Sequence, residues 1–380
     1  MMQAITGATL FDGTGFIERH ALVLKDGCVA EVVAEEHLAP ETPRQVLKGG
    51  IIAPGFIDLQ VNGGGGELFS NNPSVTALKA MLHGHRQGGT TGLLPTLISD
   101  TPDNHRRCAE VVDAAVAAAM PGVLGLHIEG PFFDLERRGV HNRDYIRSME
   151  QADIDWLCGL QNFPVMLTLA PEHTQPGQIK TLVEAGIFVC AGHTNADYDA
   201  VKRALGEGLR GFTHLFNAMS PLQGRAPGVV GAALEDADSW CGIVVDGHHV
   251  HPASVRIAQA AKPQGKLYLV TDAMATVGAL TKSFELYGET ISEKDGRLIN
   301  AEGRLAGSAI SMMDAVRIAT TQVGIPLEES LRMASLYPAQ MLKLDARKGR
   351  IAQGYDADLV HFSNNFQVLD TWIKGEHYPH

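Results

Sequence analysis

Cysteine is scarce: the 380-residue chain has five (Cys28, Cys108, Cys158, Cys190 and Cys241), an odd number with no C-x-x-C spacing. That excludes a disulfide framework and a thiolate zinc knuckle, and leaves five ordinary thiols. No apolar run reaches the eighteen or more residues that a membrane-spanning helix needs, so no membrane role is expected. Positive charge is short as well. Lysine and arginine total 31 against 43 aspartates and glutamates, a formal charge of -12, which disfavours nucleic acid and repels anions unless a local cluster reverses the field. No Walker-type glycine loop is present, so nucleotide binding is disfavoured too. The opening residues, Met1 to Thr6, lack the basic start and apolar run of a secretory signal, and a cytoplasmic location is the expectation.

What is present divides the chain into two textures. Residues 3–52 alternate apolar and polar with turn signals at Asp12-Gly13, Asp26-Gly27 and Gly49-Gly50, the mark of short antiparallel strands. Gly349 to Ala352, Gly354 to Phe362 and Thr371 to Gly375 read the same way. Both chain ends are therefore expected to share a small β-sandwich domain, residues 1–53 plus 346–380. Between them, residues 54–345 show apolar runs of strand length followed by helix-like stretches. Eight runs are expected: Gly55 to Gln60, Gly92 to Thr96, Val123 to Glu129, Val165 to Ala170, Ile187 to His193, Gly211 to Phe216, Cys241 to Asp246 and Leu267 to Asp272. Eight successive strand-helix units predict the α/β class: a (β/α)8 TIM-type barrel with chemistry at the strand C-termini. A hairpin excursion turning at Asp295-Gly296 is expected over roughly residues 283–305.

Those strand ends carry the chemistry. Glu129 (His127-Ile128-Glu129-Gly130-Pro131), His193 (Ala191-Gly192-His193-Thr194) and His214 (Thr213-His214-Leu215-Phe216-Asn217) emerge on one rim. One Glu with two His is a ligand set for catalytic zinc with a position left open, and iron or another divalent ion also suits it. A single strand-end histidine is more often structural; three suitable groups from three strands on one rim reverse that ratio. Asp272 ends the eighth run, where it could cap a helix, bind metal or act as general base and acid. His141 follows Glu129 after a loop, placed either at the surface or to donate to a developing oxyanion. Gln60 and Asn62 stand where hydrolytic metal sites often begin with two histidines, so one metal is expected rather than a pair. Candidates for holding a phosphate are Asn217 and Ala218, Arg225 and the pair His248-His249.

Taken together, Pro54 to Gly63, His127 to Phe132, Ala191 to Thr194, His214 to Met219, Asp246 to His249 and Thr271 to Ala273 resemble the N-acetylglucosamine-6-phosphate deacetylases of the amidohydrolase superfamily. The likeness runs along essentially the whole chain. It implies Glu129, His193 and His214 as ligands of one divalent ion (Zn2+ or Fe2+), Asp272 as acid/base, and His141 as the group polarising the acetyl carbonyl, with Val140 beside it. It further implies substrate contacts from Asn217, Ala218, Arg225, Asp246, His249 and the loop Leu305-Ala306-Gly307. The implied partner is a small phosphorylated amino sugar, and the implied assembly a homodimer in which Arg225 reaches the neighbouring site. Ala226 stands where the arginine motif usually has glutamate. The N-acetylgalactosamine 6-phosphate epimer remains an alternative substrate, and a non-catalytic scaffold an alternative role. No lysine ends any of the eight runs, which argues against the cyclic-amide hydrolases that bridge two metals with a modified lysine.

Overall fold

In a computed structural model, which describes residues 2–301, 303 and 305–380, eight strands run parallel in chain order: Phe56–Val61, Thr90–Leu97, Leu126–Glu129, Val165–Leu169, Phe188–Ala191, Gly211–Phe212, Trp240–Val244 and Leu267–Val270. Every residue in them is buried. That continuous burial explains their apolar composition, since helices cover the outer face and side chains fill the inner one.

Helices follow the strands where local chemistry starts them. Ser74 caps Val75–Arg86 by accepting from the Ala77 N–H at 3.1 Å, Thr101 caps Pro102–Ala117 with proline at its first position, and Asp197 caps Tyr198–Gly206 at 2.7 Å. Each cap satisfies an amide that the first helical turn cannot. Among the described residues, no helix is long and apolar enough to cross a membrane.

The cylinder closes between its eighth and first strands by a different means. An isolated bridge, Val61 with Ala273, joins them, and backbone bonds add to it: the Asp272 amide donates to the Gln60 carbonyl at 3.0 Å, and the Asn62 and Gly63 amides donate to the Ala273 carbonyl at 2.9 and 3.0 Å. Asp58 ties the seam further. Its carboxylate accepts from the Thr271 hydroxyl at 2.5 Å and from the Thr271 and Gln60 amides at 3.2 Å each.

The two chain ends together form two sheets. Met2–Thr6, His20–Lys25, Cys28–Ala34 and Arg44–Val46 make a four-stranded sheet; Thr9–Phe11, Phe16–Ile17, Ile51–Pro54, Leu359–Phe362, Val368–Ile373 and Glu376–Pro379 make a six-stranded one. Ile5 and Leu22 from the first pack with Leu10, Ile52, Leu359 and Trp372 from the second. The expected strand over Gly349 to Ala352 is absent. Lys348 instead bonds Asp356 at 2.9 Å and Asp358 at 2.5 Å, which folds that segment back into turns.

The excursion after the eighth strand is larger than a hairpin. Ser283–Leu286, Glu289–Lys294, Arg297–Ile299 and Leu305–Ser308 form an antiparallel meander, with Asp295-Gly296 at its second turn. Leu305, Ala306 and Gly307 are thus a strand, not the loop expected. That strand returns to the barrel rim: the Ser308 N–H donates to the Asp272 carbonyl at 2.8 Å, and the Met274 N–H donates to the Ser308 carbonyl at 3.1 Å.

Candidate active site

The fourth to eighth strands end earlier than the sequence pattern indicates, and the difference positions the site. His193, His214 and Asp272 each lie two residues beyond a strand end, with φ of +50°, +36° and +53°. Non-glycine residues rarely adopt the left-handed region, at a cost of about 1–3 kcal/mol each. Here the reversal brings these side chains together over the barrel mouth, and Glu129 joins them as the last residue of its strand.

Three donor atoms converge. Glu129 Oε1 lies 3.2 Å from His193 Nε2 and 3.1 Å from His214 Nε2, and the two ring nitrogens are 3.0 Å apart. All three residues are buried. His193 Nδ1 faces the Arg137 carbonyl at 2.9 Å; a carbonyl only accepts, so Nδ1 carries the proton. Burial keeps that ring neutral by lowering its pKa, which leaves Nε2 as a bare lone pair turned towards the carboxylate. Tethering the far nitrogen in this way is how proteins prepare a histidine for a metal. Burial disfavours charge on both Glu129 and His214. Their mutual attraction outweighs it, holding Glu129 well below and His214 above the ordinary range. A cation at the meeting point would supply the positive charge that a proton on His214 supplies to the carboxylate here. The donor set therefore fits a divalent ion.

Gln60 takes a role the sequence did not indicate. Its amide nitrogen donates to Glu129 Oε1 at 3.0 Å and to Asp272 Oδ1 at 3.1 Å, so its donor end, rather than a ligand atom, meets the carboxylates. Asn62 donates to the same Asp272 oxygen at 2.7 Å. Burial, then the nearby Glu129 charge, push the Asp272 carboxyl up to about 6.

His141 belongs to the same cavity. Its Nδ1 receives the Ser99 amide N–H at 3.2 Å and lies 2.9 Å from the Ser99 hydroxyl. An amide can only donate, so Nδ1 is the acceptor and the proton sits on Nε2. Burial and the neighbouring His193 depress its pKa to about 3, keeping the ring neutral. Gly130 leaves room for this arrangement, because a Cβ there would stand 2.3 Å from the Ser99 hydroxyl.

The cavity, about 200 Å3, is lined by Asn62, Glu129, Val140, His141, His193, His214, Asn217, Ala218, His249 and Asp272, with Ile98, Met274, Leu305 and Gly307 on its apolar side. Asp246 stands behind His249 rather than on the wall, taking that ring's Nδ1–H at 2.6 Å and the His248 and His249 amides at 2.8 Å each. Burial opposes charge on His249, but Asp246 outweighs it and raises the pKa. Ala306 is fully buried in an apolar cluster with Met274 and Leu298, off the cavity wall. Arg225 lines a different pocket, with Asn195, Tyr198 and Pro221. Among the described residues, no lysine or arginine lines the cavity itself. Ser99, Ile98 and Met274 were not indicated by the sequence, although all follow strand ends and that position was the signal for them; Asn62, noted only as standing in a ligand position, serves as a donor to Asp272.

An amidohydrolase family model matches residues 51–377, and a model of the NagA composite domain matches residues 2–52. The N-acetylgalactosamine-6-phosphate deacetylase of Shewanella sp. (strain ANA-3) is 38% identical over 374 residues, spanning 97% of this chain and 94% of the relative. The N-acetylglucosamine-6-phosphate deacetylase of Haemophilus influenzae is 36% identical over 379 residues, 99% of each chain. The crystal structure of N-acetylglucosamine-6-phosphate deacetylase from Pasteurella multocida superposes with a TM-score of 0.97 at 38% identity, covering all of both chains. With a matching family model over most of its length and relatives aligned end to end, this chain belongs to the amidohydrolase family.

Proposed function

We propose that the chain removes the acetyl group from N-acetyl-D-glucosamine 6-phosphate, giving acetate and D-glucosamine 6-phosphate. The observation that carries this reading is the meeting of Glu129, His193 and His214 with Asp272 and His141 in one buried cavity, in a chain aligned along 99% of a relative named for that reaction.

A divalent ion (Zn2+ or Fe2+) held by Glu129, His193 and His214 supplies Lewis acidity, which brings the pKa of a water towards neutrality. Asp272 takes the proton from the attacking water. Gln60 and Asn62 occupy its Oδ1, leaving Oδ2 for that proton. His141 donates from Nε2 to the acetyl oxygen as charge develops there, and a neutral donor fixed in a dry cavity is effective in that task. As the C–N bond breaks, Asp272 returns the proton to the departing amine. The water oxygen ends in acetate, and the sugar keeps its nitrogen.

The phosphate is assigned to His249, whose charged form Asp246 favours, with Asn217 and Ala218. Among the described residues no lysine or arginine lines the cavity, and the partner subunit's Arg225 in a homodimer is proposed to complete the anion site. The enzyme works in the cytoplasm, where phosphorylated sugars are retained by their charge. Residues 1–53 with 346–380 form the small domain, supported by its own apolar cluster around Ile52 and Trp372, and residues 54–345 the catalytic barrel.

The galacto epimer is the second reading, favoured by the 38% identity to the Shewanella enzyme. Acetate release measured on both 6-phosphates separates them: a higher kcat/KM on the gluco sugar is expected. A higher value on the galacto sugar reverses the assignment, and no release from either removes the deacetylase reading.

A further inference from the structure

We propose that Ile98 and Met274 form the seat of the acyl methyl group and set an acyl length limit of two carbons. This deepens the deacetylase reading and rests on it. The attacked carbonyl carbon has three substituents. Its oxygen is claimed by His141 Nε2, and its nitrogen must face Asp272 and carry the sugar towards His249 and Asn217. The third direction is left to the methyl group, and the remaining lining is apolar and includes Ile98 and Met274.

Chain connectivity ties these two side chains to the reacting groups. Ile98 immediately precedes Ser99, whose amide holds His141. Met274 follows Asp272 by two residues, and Ser308 hydrogen-bonds both backbones, donating to the Asp272 carbonyl and accepting the Met274 amide. Behind them the wall is filled: Ile98 and Met274 are 4% and 2% exposed and pack with Leu68, Leu286 and Leu298 in one closed cluster. Methionine ordinarily adapts to what it meets. Here it is confined, since a Cβ at Gly307 would lie 2.5 Å from Met274 Cγ and 2.9 Å from its sulfur. The backbone of Gly307 therefore presses directly on the thioether. A longer acyl chain must displace a side chain that has nowhere to go.

The test compares kcat/KM for N-acetyl- and N-propionylglucosamine 6-phosphate in the metal-loaded enzyme and in Met274→Ala, Met274→Leu and Ile98→Val, each checked for folding by its thermal melt. Wild type should favour acetyl by about 10- to 200-fold, the range one methylene gives in a fitted pocket. Met274→Ala should raise the propionyl-to-acetyl ratio at least about tenfold, Ile98→Val should raise it less, and Met274→Leu, of similar volume, should leave it near wild type. Equal wild-type rates on the two acyl groups, or an unchanged ratio in folded Met274→Ala and Ile98→Val, overturn the acyl seat while the deacetylase reading stands. No acetate release by wild type from either epimer overturns both.

Discussion

The Ser99 amide N–H points at Nδ1 of His141 from 3.2 Å, and this one contact decides which ring nitrogen holds the proton. Because the donor is backbone, the tautomer survives loss of the Ser99 side chain. Ser99→Ala should therefore lower kcat by less than about tenfold, whereas His141→Ala, which removes the oxyanion donor, should lower it by about 100- to 1000-fold. Steady-state kinetics on the two variants decides; equal losses contradict the assignment.

Asp272 is raised to about 6 by burial and by the Glu129 charge. A base must be ionised to take a proton, so kcat/KM should rise with pH through that region and level off above it. A bound cation adds positive charge and moves the limb to lower pH. Asp272→Asn should keep the fold, the metal and substrate binding while losing about 100- to 10,000-fold in kcat, and its residual pH profile should lack this limb. A near-normal kcat, or an unchanged acid limb, removes Asp272 from the role.

Asp58 predicts a pH effect on stability. Burial pushes its carboxyl up to about 7, against the opposing hydrogen bonds from Thr271 and Gln60; an unfolded aspartate titrates near about 3.9. Between those values the folded state holds the extra proton, so this group's contribution is full below about pH 4 and is lost as pH rises through about 7. Asp58→Asn is neutral in both states. Its stability relative to wild type should increase from about pH 4 to about pH 7 and then stay level, measured by urea unfolding at several pH values. A constant difference across that window contradicts the shift. Asp58→Ala, which strands the Thr271 and Gln60 donors at the barrel seam, should cost about 2–3 kcal/mol.

The barrel and its central constellation were legible because they depend on simple regularities. Buried parallel strands need unbroken apolar runs, and such runs pointed to Glu129, His193, His214 and Asp272 at their ends. Periodicity carries no mark of where a residue turns left-handed, so the strands were drawn two residues too long at His193 and Asp272. The Leu305 to Ser308 strand was hidden because its partners, Arg297 and Asp272, belong to different parts of the chain. Asp246 and Ala306 share motifs with true wall residues, yet which side chain reaches the cavity is set by packing: Asp246 serves His249, and Ala306 fills the cluster behind Met274. Gln60 suggested a lost ligand; its amide protons show a donor joining two carboxylates. Arg225 sits in another pocket of its own chain, because its loop packs against Asn195 and Tyr198 rather than over the barrel mouth.

The proposed chemistry needs a single cation bound by Glu129, His193 and His214, and elemental analysis of protein purified without added metal, beside the His193→Ala and His214→Ala variants, decides whether it is there. Close to one equivalent of zinc or iron per wild-type chain is expected, with a large loss in both folded variants. A metal-free wild type that still releases acetate, or variants that retain a full equivalent, would contradict it.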